Sequence, residues 1–177
     1  RCTVGKMDDE LASKDLSAHV VVALEDPSHI HYKDLWLESS TGAEQCVLEL
    51  FSFGKVKDAG AGLRAMLTTA MWQKLQRLTM LTLSCQERVL SYERIRDECA
   101  LGACGEAEQL VMSLGSLAEF SIDQVKQLVV VQKCHDCRDV YNGERGGLAR
   151  GVRPRNLARP AEMATQAWQR HAVKRNK

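Results

Sequence analysis

LTTAMWQKLQRLTMLTLSCQERVLSYERIRDECAL, residues Leu67–Leu101, is the stretch whose reading decides the fold. Thr68 or Thr69 offers a hydroxyl cap for a helix start. Met71, Trp72, Leu75, Leu78, Thr79 and Thr82 follow at helical spacing, which predicts a long amphipathic helix with these residues as its buried stripe. Val89-Leu90 reads as a short apolar strand. Ser91 then caps a second helix that carries Tyr92, Ile95 and Cys99 on one face and ends at Gly102.

Downstream, Glu106 to Leu114 predicts a third helix with Ala107, Leu110, Val111 and Leu114 inward. Two acids in its first turn, Glu106 and Glu108, complement the helix dipole. Residues 117–122 alternate Ala118, Phe120 and Ile122 with Glu119 and Ser121, a strand pattern. Residues 127–132 are apolar and β-branched, a second strand, with Asp123 to Lys126 as the turn. Helix, strand, helix, helix, hairpin is the element order of a winged helix.

Upstream, Leu16, Val20, Ala23 and Leu24 share a helical face that Asp26-Pro27 ends. Residues 30–37 predict a short helix or turn anchored by Tyr32, Leu35 and Trp36. Ala43 to Phe53 predicts a helix with Cys46, Val47, Leu50 and Phe53 on one face and Gly54 beyond its end. Residues 55–67, with Gly60 and Gly62, read as a loop. Residues 1–15 are polar and charged and are expected to fray. The first residue is Arg rather than Met, consistent with an incomplete N-terminus.

The chain of 177 residues is long enough for one compact unit with a substantial core. Aromatics are only 5%, so that core must rest on Leu, Val, Ala and Met. The net charge of +1 hides an asymmetry. From Arg138 onward there are ten Lys and Arg against three acids, a +7 tail on a −6 body. Such a tail suits acidic partners or nucleic acid, although the plainer reading is a solvated end. Seven cysteines, an odd number scattered through helical patterns, read as reduced thiols of a cytosolic or nuclear protein. No apolar run reaches the ~18 residues of a membrane span, and no signal-peptide pattern is present.

Particular words of the sequence resemble the PCI-domain subunits of the proteasome lid, the COP-nine signalosome and translation initiation factor three. The family's Leu-Thr start, Lys-Leu-x-x-Leu-Thr centre and Thr-Leu close stand here as Leu67-Thr68, Lys74-Leu75-Gln76-Arg77-Leu78-Thr79 and Thr82-Leu83. Val89-Leu90-Ser91-Tyr92 resembles its strand-to-helix step, with Ser91 where the family has proline. Leu48 to Gly54, Ile122-Asp123-Gln124 and Arg138-Asp139-Val140 resemble further segments. Order and spacing over residues 16–145 most resemble subunit seven of the signalosome.

The resemblance implies a mainly α fold: a helical-repeat, HEAT-like stack over residues 16–86, then a winged-helix subdomain with a small β-hairpin over 87–132. A basic tail follows over 133–177, with a possible helix at 160–173. It also implies a non-catalytic scaffold in a complex that removes a ubiquitin-like modifier from cullins. Its partners would be other PCI subunits and, indirectly, a metalloprotease subunit that carries the chemistry. Cytoplasm and nucleus are the expected locations. A PCI subunit of the initiation factor or proteasome lid is the alternative within the class. A winged-helix protein binding nucleic acid through its tail is the alternative outside it.

No catalytic, cofactor or metal site is expected. Cys134-His135-Asp136-Cys137 is a CxxC without the second ligand pair that zinc needs, so it reads as a loop rather than a zinc or redox site. His29-Ile30-His31 has no carboxylate placed beside it by sequence. There is no Gly-x-Ser-x-Gly elbow, phosphate loop or His-Glu-x-x-His motif. The third helix carries two acids and no Lys or Arg, which disfavours phosphate contacts there. The strand at 127–132 is expected to present an unprotected edge. That makes the hairpin the candidate partner interface, with Phe120, Ile122, Val129 and Val131 as its residues. The plainer alternative is that both strands only cover the core.

Overall fold

The computed structural model describes residues 16–40, 42–145 and 148. The frayed start expected over 1–15 and the helix expected at 160–173, with most of the basic tail, lie outside the described residues. The described chain is mainly helical with one small antiparallel sheet. Helices α1 (Ala18–Glu25), α2 (Lys33–Glu38) and α3 (Gly42–Phe53) come first. A 3-10 turn (Val56–Asp58) and helix α4 (Ala61–Met66) lead to the long α5 (Thr69–Gln86). Then come β1 (Val89–Ser91), α6 (Tyr92–Cys99), α7 (Cys104–Met112), β2 (Ala118–Asp123) and β3 (Leu128–Cys134).

The start signals act as the sequence predicts. Thr68 Oγ1 accepts from Met71 N–H at 3.2 Å and opens α5. Ser91 Oγ accepts from Arg94 N–H at 3.1 Å and opens α6. The stop signal of α6 differs, because Ala100, not Gly102, takes the left-handed conformation that ends it, at φ 50°. The expected loop over 55–67 is also wrong. It folds into the 3-10 turn and α4, because Val56, Leu63 and Leu67 are buried and need ordered backbone beside them. Gly60 supplies the extended residue before α4.

Two apolar clusters make the core, and α5 feeds both. Met71, Leu75 and Leu78 join Val20, Leu24, Tyr32, Trp36 and the α3 residues Val47, Leu48, Leu50 and Phe51. Met80 and Leu83 join Leu90, Tyr92, Ile95, Ala107, Val111, Val129 and Val131. Helix α3 is buried far beyond the predicted single face, with Leu48, Glu49, Phe51 and Ser52 also enclosed. A one-sided pattern cannot reveal a helix covered on several sides.

The sheet runs β1-β3-β2, all antiparallel. Phe120 pairs with Val131 and Ile122 with Val129, which aligns the predicted inward residues of the hairpin on one face. A bulge between Glu119 and Phe120 shifts the register near the open end. Gln127, at φ 54°, closes the turn, and Asp123 Oδ1 accepts from Lys126 N–H at 3.0 Å.

Candidate partner interface

The four residues expected at the interface separate by depth. Val129 and Val131 are completely buried, whereas Phe120 and Ile122 are partly buried against the same cluster. The expected open edge is corrected: β3 is the central strand, paired with β1 on one side and β2 on the other. Its β-branched run reflects that central place, because a strand paired on both sides and covered by helices favours such residues. A charge at Val129 or Val131 therefore attacks the core before any partner.

The edges of the described sheet are β1 and β2. β1 has only three residues, and β2 has six. Glu119 and Ser121 on β2 are exposed. In the sequence these two residues are only the polar half of the β2 alternation.

The hairpin is held from two directions. At its tip, Gln124 Nε2 donates to Glu108 Oε2 at 2.9 Å, while Tyr92 O–H donates to Glu108 Oε1 at 2.8 Å. Glu108 is therefore a joint between α6, α7 and the turn. At its exit, the chain leaves β3 and turns back onto the first helices. Arg138 is buried and donates to the carbonyls of Leu50 (3.2 Å), Phe51 and Gly54 and to Thr82 Oγ1 (3.2 Å). The last carbonyls of α3 thus receive a cation, as the helix dipole favours. Burial pulls the Arg138 pKa down to about 10, so it stays charged at neutral pH. Gly54 fits tightly here, since a Cβ would lie 3.0 Å from the Leu50 carbonyl oxygen.

Asp139 does the converse at the start of α2, accepting from Tyr32 N–H at 2.6 Å and Lys33 N–H at 3.0 Å. Arg145 continues the seam, donating to Leu37 and Ser39 carbonyls and lying 5.0 Å over the Trp36 ring. In the sequence Arg138-Asp139 carries only the family resemblance, because its partners lie more than 80 residues away.

Other charges are structural. Burial works to raise the Glu98 pKa, but the Lys57 hydrogen bond and the charges of Lys55, Lys57 and Arg94 outweigh it and hold it below the usual range. His29 packs edge-on to Tyr32, while His31 faces Asp139 at 3.1 Å and Asp136 at 3.5 Å. Among the described residues no three His, Cys, Asp or Glu side chains are placed to hold a metal ion. No helix among them is long and apolar enough to cross a membrane.

No protein-family model matches the sequence. Curated relatives do. The chain is 37% identical over 125 residues to COP9 signalosome complex subunit 9 of Saccharomyces cerevisiae, covering 71% of this chain and 76% of that protein. It is 32% identical over 131 residues to the protein of the same name from Eremothecium gossypii, covering 71% and 78%. The Kluyveromyces lactis protein of that name is 30% identical over 123 residues, covering 70% and 78%. The chain belongs to the COP9 signalosome subunit 9 family. The resemblance to the signalosome therefore stands at the level of the complex, and its subunit number is corrected from seven to nine.

Proposed function

We propose that the protein is a non-catalytic scaffold subunit of the COP9 signalosome, acting in cytoplasm and nucleus. The observation that carries this reading is its likeness to three relatives bearing that subunit's name, each over about 70% of the chain. In this reading the helices up to α5 form the helical part of a PCI domain. The segment β1-α6-α7-β2-β3 forms its winged helix, supported by the element order and the strand order β1-β3-β2. The cullin-directed chemistry belongs to a separate metalloprotease subunit.

The docking element of the hairpin is the open edge of β2. The side of β2 that faces away from β3 can accept a strand from a neighbouring PCI subunit. Phe120 and Ile122 back that edge from the core side, while Val129 and Val131 hold it in place. Binding nucleic acid through α7 is disfavoured, because CGEAEQLVM carries two acids and no Lys or Arg.

Purification from native cells at moderate salt tests the reading. Recovery of signalosome subunits supports it; recovery of initiation-factor or proteasome-lid subunits instead overturns it. A Glu119→Lys, Ser121→Lys double variant sharpens the test, since lysines on an edge strand oppose strand addition. It should keep its circular dichroism spectrum and lose its partners. Retention of all partners would remove β2 from the interface.

A further inference from the structure

Arg145 joins a sequence pattern that the scaffold role does not use to a latch on the first helices. Gly143-Glu144-Arg145-Gly146-Gly147 puts one glycine two residues before the arginine and two directly after it. Among the described arginines, Arg145 alone is followed by glycine. Glycines beside an arginine let the chain bend sharply and enter a narrow cleft side chain first. Arg-Gly-Gly is the form of substrate that arginine N-methyltransferases take.

The structure shows what this arginine holds. Gly143, at φ 86°, turns the chain, and Asn142 N–H donates to Glu144 Oε2 at 2.9 Å. Tyr141 O–H donates to the Arg145 carbonyl, and Glu144 pairs with Lys33 of α2. The turn thus sets Arg145 against the end of α2. There Nη2 donates to the Leu37 carbonyl at 2.7 Å and to the Ser39 carbonyl at 3.0 Å. Among the described residues, both of its side-chain hydrogen bonds run through this one nitrogen. The guanidinium also lies 5.0 Å over the Trp36 ring. Arg145 is partly exposed, whereas Arg138 is buried and followed by Asp139.

We propose that Arg145 is an arginine-methylation site, and that methyl on Nη2 releases the far end of the seam from α2. The co-substrate is a sulfonium methyl donor of the S-adenosylmethionine class. A new N–C bond forms as the S–C bond breaks. The sulfur keeps that electron pair and leaves as a neutral thioether, and one N–H proton passes to solvent. The guanidinium keeps its positive charge but loses a donor with each methyl. One methyl on Nη2 removes one of the two donors to Leu37 and Ser39, and a second removes both. The charge stays available to the Trp36 ring, so it is the hydrogen-bonded fork that is lost. Arg138 and Asp139 keep their own bonds to α3 and α2, so only the last part of the seam opens.

The test uses the full chain, incubated with an arginine methyltransferase active on Arg-Gly-Gly peptides and with deuteromethyl S-adenosylmethionine. Digestion and mass spectrometry should find the label on Arg145. Hydrogen exchange of the methylated chain should become several-fold faster over residues 36–40 and stay unchanged in β2 and β3. Arg145→Ala removes fork and ring contact together and should give at least as large a rise without any methyl. Two results would overturn the proposal. One is no label on Arg145 while a free Arg-Gly-Gly peptide is labelled in the same reaction. The other is a labelled Arg145 with unchanged exchange over residues 36–40.

Discussion

The helical region around α1–α5 and the sheet region around α6–β3 are held together by opposite means. The sheet region closes on nearby sequence: a capped α6, a hairpin with a tight turn, and inward residues that alternate along each strand. The helical region depends on residues from far along the chain. Arg138 reaches carbonyls 84 to 88 positions earlier, and Asp139 caps α2 across 106 and 107 positions. Tyr141 adds an edge-on ring contact to Trp36 and Phe53. The difference teaches that the first helices depend on the segment that follows the hairpin, whereas the sheet region draws on closer sequence.

The largest break in this contrast is Arg138→Met. It removes the guanidinium donors from the Leu50, Phe51 and Gly54 carbonyls and should cost about 4 kcal/mol. Urea unfolding measures the loss. Hydrogen exchange should show α2 and α3 losing protection before β2 and β3. Equal loss in both regions would remove the distinction between them.

Ile95→Ala strikes the other region. Ile95 is fully buried in the second cluster, so its truncation should cost about 3 kcal/mol. Here exchange should rise first in α6 and the sheet. Ser91→Ala removes a cap of α6 and should cost about 1 kcal/mol, seen as a small fall in the urea midpoint with an unchanged slope.

A pH-dependent effect concerns Lys74, which is buried on α5 and donates to the Asp26 carbonyl. Burial first, then the Arg77 charge, pull its pKa down to about 8. Between about pH 8 and 10.5 the unfolded chain therefore binds more protons at this site than the folded one, and stability rises with pH. Lys74→Met should flatten that alkaline rise in a pH series of thermal melts. A wild-type curve with no such rise would show that Lys74 keeps its proton.

Hydrophobic period, capping residues and turn chemistry are local, so α1, α3, α5, α6, α7 and the hairpin were legible from the chain alone. So were the inward faces of α6 and β2, because a two- or three-residue spacing carries them. The loop at 55–67 was misread because two glycines outweighed the three apolar residues whose burial orders it. The strand at 128–134 was recognised but misplaced as an edge, since a β-branched run does not say how many neighbours it has. The sequence by itself determined most of the helices and strands, α4 excepted, and which residues of α6 and the hairpin turn inward. Only the tertiary structure decided which strand is central, why Arg138 is buried, and which carbonyl meets the Cys134 thiol. Those outcomes depend on long-range pairings, and local patterns carry no information about what arrives from 50 or 80 residues away.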